Sequence, residues 1–505
     1  MGRHSKGLLT ASTALASLLP LAFAITPALA GACGGAIAKD EPARDAGFFD
    51  APVSTVTPPK DSGPPTPDAG LPEEDDPWMK GDPSPTSTAE VIELGPANPG
   101  QKVTFPIKDT ALGFNVTGTM SDDDFAVKDI ESPTGKLVHK DAISANGDHE
   151  TSSTLFGQVA SAGVPQSNHP SAMPALERGD WGVTFRAPGP VSATVRVQNT
   201  PDGQFHGGAL DIHVYLPEGL DVEGDTVTKT HFKRVAGVRD RIDMFADAIR
   251  DLYQLTRGDV TFHLVSSKYV EIADSELAAA FSESKVAKTT QALNVVFSQA
   301  SGSQEWWGIA GGVPGTPQPG TSQSAIALAM DDRADARMEG YVLAHEAGHF
   351  MGLSHTTEFQ GGGFDPLEDT PQCPGMTFQN FTSCPDFTNI MAAAGATSGS
   401  SKASALQRRV VQGSPLYRAF LAGTAPPPKN ALAPADFGKL FGHPGTPPTA
   451  TEAWVIASLC GHAGHRREVR AALPSLSTRE LGRIAADPAA SPMVRRAAAR
   501  LAAGR

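Results

Sequence analysis

The sequence predicts an α+β protein with distinct β-rich, mixed and helical parts. Short alternating or apolar runs between Gly, Pro and Asp breaks fill residues 88–205, the pattern of a β-sandwich. Residues 206–424 mix strand and helix patterns, and one of the helices carries paired histidines. Residues 425–505 are rich in Ala and Arg and read as a small α-helical tail.

Residues 1–35 are expected to be a targeting segment. Arg3 and Lys6 give a positive start, Leu8 to Ala24 an apolar stretch, and Ala28-Leu29-Ala30 an A-x-A cleavage site. Pro20 and Pro27 interrupt the stretch and argue against a permanent membrane span. The small residues before Cys33 also offer a lipoprotein signal with Cys33 as the lipidation site, although Ala30 stands where Leu is usual. Either reading exports the protein, freely secreted or as a cell-surface lipoprotein tethered to a membrane. Residues 36–87 contain runs such as Pro64-Pro65 and Glu73-Glu74-Asp75-Asp76-Pro77. They cannot build a core and are expected to form a disordered linker.

In the β-rich region, strands are expected near 102–107, 113–117, 181–186 and 191–197. A structural or substrate-docking role suits this accessory region. It contains no cysteine that could cap a metal as an inhibitory propeptide does.

The mixed region opens with a strand at 210–216. A helix follows over 235–253, with Val238, Ile242, Phe245, Ile249 and Leu252 on one face and an end at Arg257-Gly258. Strands are expected at 260–265, 293–297 and, near the cleft, 324–329. Residues 306–320 read as a long Gly/Pro loop, either plain surface or cleft rim. Residues 407–421 read as a closing helix. His213 and His263 lie in strands and are taken as packed residues, not ligands.

The chemistry is concentrated in residues 345–355, which read H-E-x-x-H-x-x-G-x-x-H. His345 and His349 are four apart and share a helix face. Gly352 can end the helix and turn the chain, so that His355 returns as a third ligand. Three protein ligands leave a fourth position for water, the mark of a catalytic zinc site. Glu346, beside the first ligand, can take a proton from that water.

Composition narrows the alternatives. The chain has 505 residues and a net charge of −14, which argues against a nucleic-acid partner. Four cysteines are present: Cys33, Cys373, Cys384 and Cys460. In an oxidising compartment Cys373 and Cys384 can pair across a short polar loop, worth about 3 kcal/mol. If Cys33 is lipidated, Cys460 is left as a free thiol.

The longer histidine motif followed by Asn389-Ile390-Met391 resembles the metzincin metallopeptidases, in which a Met-turn methionine lies under the metal. Asp369-Thr370-Pro371 and the cysteine pair are similar to the pappalysin-type family, its cytophagalysin branch in particular. The resemblance spans about 325–421 and extends back to about 208. It implies a twisted sheet with a zinc-binding helix, a lower subdomain with the Met-turn at Met391, and an edge strand that pairs with extended substrate. Related proteases bind calcium in the interval before the Met-turn, which makes Asp365, Glu368, Asp369 and Thr370 candidate Ca²⁺ ligands. Two departures are evident. Ala393 occupies a position where family members often carry a Tyr, and 361–363 are unusually glycine-rich.

The expected function is a secreted or surface-tethered zinc endopeptidase acting on protein or peptide substrates. The alternatives are a catalytically decayed surface binding protein on the same fold and a zinc hydrolase of non-peptide amides.

Overall fold

In the computed structural model, the described residues are 76–121, 125–140, 158–166, 176–287, 291–299, 306–330, 336–358, 363–376, 383–393, 401–424 and 481–482. The targeting segment with Cys33, the linker up to residue 75, Cys460 and all of the tail from 425 on except 481–482 lie outside them.

Nine strands come first: β1 (Thr86–Ser87), β2 (Glu90–Ala97), β3 (Val103–Ile107), β4 (Ala111–Thr119), β5 (Ala126–Glu131), β6 (Leu137–Lys140), β7 (Val159–Val164), β8 (Gly179–Arg186) and β9 (Val191–Asn199). They cover the four strands expected from the sequence. The order β2-β9-β4-β7 makes one antiparallel sheet and β3-β8-β5-β6 another. Their inner faces share one apolar core, in which Phe114 packs edge-on against both Phe105 and Trp181. Alternation along each strand puts these side chains inward.

The mixed region contains β10 (Gly208–Pro217), β11 (Asp221–Val222), β12 (Asp225–Thr226), α1 (Ala236–Tyr253), β13 (Leu255–Val265), α2 (Leu277–Ser282), β14 (Leu293–Gln299), β15 (Gly308–Ala310), β16 (Ile326–Met330), α3 (Ala336–Phe350), α4 (Ala405–Gln412) and β17 (Arg418–Phe420). β10, β13, β14 and β16 run parallel, and antiparallel β15 closes one edge. Strands buried on both faces need near-continuous apolar sequence, as in β16, all of whose residues are buried. α1 and α3 lie on one face. Ile242, Phe245 and Ile249 of α1 share a core with Leu343, Ala344 and Ala347 of α3 and Ile212 and Val214 of β10.

Four expectations need correction. The helix expected over 407–421 stops at Gln412, and the chain re-enters the main sheet as β17. Pro415 cannot continue a helix, and Arg418 forms an ion pair with Asp211 of β10 (2.8 Å) that holds the strand in place. The first helix covers the expected span, Ala236–Tyr253, but its end is not at Arg257-Gly258: Gln254 caps it in the left-handed conformation and β13 starts at Leu255.

The linker is the third. Residues 76–87 are docked. The guanidinium groups of Arg239 and Arg257 each lie 4.6 Å from the Trp78 ring centroid, and the indole Nε1–H donates to Asp243 (3.1 Å). A single aromatic anchor outweighs the Pro/Asp composition around it. β1 then pairs with β17.

Fourth, of the two readings of residues 306–320, plain surface loop or cleft rim, the surface loop does not hold, since most of the segment is buried. These residues supply β15 and then pass between the mixed region and the sheet that contains β4 and β7. Gly315 N–H donates to the carbonyl of Phe350 (3.1 Å), its own carbonyl accepts from Ser161 (3.3 Å), and Thr316 bonds Thr117 (3.1 Å). This buried polar seam, continued by Gln323 to Val159 and Gln198 to Tyr417, braces the end of α3.

Candidate metal centre

α3 presents His345 and His349 one turn apart. The helix ends in a Schellman motif: Leu353 N–H donates to Gly348 O and Gly352 N–H to His349 O, both at 2.9 Å, with Gly352 at φ +105°. The turn reverses the chain and brings His355 back onto the helix.

The three Nε2 atoms converge. They lie 3.0 Å (His345–His349), 3.1 Å (His349–His355) and 3.2 Å (His345–His355) apart, and all three side chains are buried. Each Nδ1 is committed elsewhere: His345 to Ile390 O (2.6 Å), His349 to Leu353 O (2.6 Å) and His355 to Glu358 Oε2 (2.9 Å). These acceptors have no proton to give, so each Nδ1 is the protonated nitrogen. Three Nε2 lone pairs therefore face one another, a repulsive arrangement that a cation relieves. Atoms this close can all be reached at about 2.0–2.1 Å from one point, the ordinary Zn–N length. Burial, reinforced by neighbouring His355, holds the His345 imidazole down to about 3 and so keeps it neutral, the form that binds metal. The donor set fits zinc.

Glu346, the next residue on α3 after His345, lies against β15. Its carboxylate accepts from the Ala310 backbone amide, and its Oε2 is buried with no hydrogen-bond partner. Burial raises this carboxyl well above its ordinary range. Gly308 allows the approach, since a Cβ there would stand 2.7 Å from Glu346 Cγ.

Met391 lies beneath the helix. A Cβ on Gly348 would stand 2.7 Å from its Sδ and 2.6 Å from the Tyr253 hydroxyl, which donates to Ala344 O (3.1 Å). The turn itself is held by Asn389, whose Oδ1 accepts from Met391 N–H (2.8 Å) and whose amide pairs reciprocally with Gln407 (3.0 Å).

Residues 220–420 match the sequence profile of the family described as metallo-peptidase family M12B, reprolysin-like. The match supports a metzincin-type zinc metallopeptidase. No curated protein matches the chain. Among solved structures, archaemetzincin from Methanopyrus kandleri is 12% identical, with a TM-score of 0.22 over 43% of this chain and 92% of that one. A chaperone–substrate complex is also 12% identical, with a TM-score of 0.24 over 45% of this chain and 43% of that one. Likenesses at this level carry no argument about fold or function.

The remaining expected site residues divide. Cys373 and Cys384 are joined in a disulfide. Of the candidate calcium ligands, Asp365 and Thr370 are in direct contact, while Glu368 and Asp369 are exposed. Asp365 is buried and accepts from the Thr370 hydroxyl, and Asp369 accepts from Ser404 Oγ (2.7 Å) and Leu406 N–H (2.9 Å) at the start of α4. Among the described residues, no three of the acidic side chains in this interval come within reach of one ion. His213 and His263 stay apart from the triad, bonded to each other at 2.8 Å.

Sequence reasoning missed Glu358, Tyr253 and the Ala310 amide. A Glu three residues after the third histidine was a usable signal for the first. Nothing in the sequence marks the other two, which come from distant elements.

Proposed function

We propose that the protein is an exported zinc endopeptidase of pappalysin type, hydrolysing peptide bonds at the His345–His349–His355 centre. The observation that carries the reading is the convergence of three buried Nε2 lone pairs, with the buried carboxyl of Glu346 following the first of these histidines on the same helix and keeping one oxygen unpaired.

When bound, zinc polarises the scissile carbonyl and makes water nucleophilic near neutral pH. His345, His349 and His355 hold it, each oriented through its Nδ1 hydrogen bond. Glu346 takes the proton of the attacking water at Oε2 and delivers it to the leaving amine. Extended substrate adds to the edge of β15. Trp307 and Gly311 bond to β16 through Ala329 and Ala325, so Gly308 and Ala310 turn their backbone groups outward beside Glu346. Asp369-Thr370-Pro371 and the adjacent disulfide support the pappalysin-type assignment, and residues 1–35 support export with or without a lipid on Cys33.

The test is a complex peptide mixture incubated with zinc-loaded protein, new termini being mapped by mass spectrometry, with Glu346→Ala alongside. Cleavage by the wild type alone is the expected result. Equal cleavage by both removes Glu346 from the chemistry, and no cleavage by either favours the binding-protein alternative.

A further inference from the structure

The three histidines are not supported alike. His345 and His349 rest on backbone carbonyls that belong to fixed turns, the Met-turn at Ile390 and the Schellman turn at Leu353. His355, which is not on α3, rests on a side-chain carboxylate, Glu358 Oε2 at 2.9 Å. We infer that Glu358 is a positioning residue for the third metal ligand, fixing the tautomer and ring orientation of His355 and strengthening its Nε2 as a donor. This rests on the zinc reading of the cluster.

The local backbone holds Glu358 in place independently of its carboxylate. Thr356 N–H donates to Met391 O (3.0 Å), Glu358 N–H to Gly363 O (2.9 Å), and Thr357 Oγ1 accepts from Cys373 N–H (2.9 Å). Thr357 and Phe364 form a short antiparallel bridge across the same loop. The residue is therefore fixed, and its side chain, 31% exposed, reaches the buried imidazole. A hydrogen bond from Nδ1–H to a carboxylate is charge-assisted and leaves more electron density on Nε2 than one to a carbonyl. It also places a negative charge one imidazole away from a divalent cation, where the ion's own charge dominates the field.

The test compares wild type, Glu358→Ala and Glu358→Gln in three measurements. They are Zn²⁺ affinity by competition with a chromophoric chelator, the visible spectrum of the Co²⁺-loaded protein, and the melting temperature of the metal-free protein. Glu358→Ala should lose about 10–100-fold in Zn²⁺ affinity. Its Co²⁺ bands should shift while metal-free melting stays as in wild type. Glu358→Gln should recover part of the affinity, since its amide oxygen still accepts from Nδ1–H without the charge. Unchanged Zn²⁺ affinity and Co²⁺ spectrum in Glu358→Ala would overturn the inference. So would an affinity loss accompanied by collapse of the metal-free protein, which marks a structural role. Failure of the wild type itself to bind Zn²⁺ would instead overturn the zinc reading beneath it.

Discussion

His349 donates its Nδ1–H to the carbonyl of Leu353, at 2.6 Å, across the turn that ends α3. The ligand and the turn that delivers the next ligand are thus one unit. What fixes the ring of His349 also fixes the path of the chain toward His355.

That coupling depends on Gly352. Its φ of +105° is a conformation other residues adopt only with strain, and a Cβ there would stand 3.3 Å from Val410. Gly352→Ala is expected to cost about 1–3 kcal/mol in a urea titration and to weaken Zn²⁺ binding with it. Stability and zinc affinity both equal to wild type would show that the turn tolerates a side chain.

α1 and α3 are joined by a buried ion pair, Arg241 with Glu339, and Arg241 also donates to Gly237 O (2.9 Å). Removing Glu339 takes the buried partner from Arg241 and leaves it only the exposed Glu223 carboxylate at 3.3 Å. Glu339→Ala should therefore lose about 3–5 kcal/mol on chemical denaturation, whereas Arg241→Met with Glu339→Leu should come close to wild type. A mild single variant and a severe double one would invert this account.

The disulfide closes a short loop, Cys373 to Cys384, whose first cysteine bonds Thr357, two residues after His355. Reductant should lower the unfolding free energy by about 3 kcal/mol, and the double variant Cys373→Ala, Cys384→Ala should start at that lower value and ignore reductant. Equal sensitivity of both proteins to reductant would place the effect elsewhere.

Asp243 receives the Trp78 indole N–H and lies 3.6 Å from Arg257. Burial pushes its carboxyl up to about 6 and pushes the Arg257 guanidinium down, so desolvation exceeds the attraction between them. The unfolded chain releases this proton near the ordinary 3.8, the folded one near 6. Between those values the folded state binds the extra proton, and the contribution of Asp243 to stability falls as pH rises. Asp243→Asn removes that dependence. Its stability relative to wild type should improve from pH 4 to pH 6.5 in urea titrations and then level off. A difference that stays constant across the range would contradict the burial argument.

Much of the site was legible because its chemistry is local. One helical turn sets His345 and His349, and Gly352 announces the turn that returns His355. The expected strands at 210–216 and 293–297 appear because apolar runs of that length have few alternatives. What the sequence hid depends on distant partners. Residues 76–87 look like linker until Trp78 meets Arg239 and Arg257. Residues 306–320 read only as a Gly/Pro loop, surface or cleft rim, until the backbone of Gly315 meets Phe350 and Ser161. The stretch 407–421 looks helical until Arg418 finds Asp211. The acidic residues before the Met-turn are candidate ion ligands by sequence, and only the fold shows that Asp369 also accepts from Ser404 and Leu406 at the start of α4.

The central claim is that three imidazoles hold one zinc ion, and zinc-edge X-ray absorption on the reconstituted protein tests it most directly. Three histidine nitrogens and one light oxygen at about 2.0–2.1 Å are expected, with one imidazole lost in His355→Ala. A sulfur scatterer near 2.3 Å, or a spectrum unchanged by His355→Ala, would contradict it.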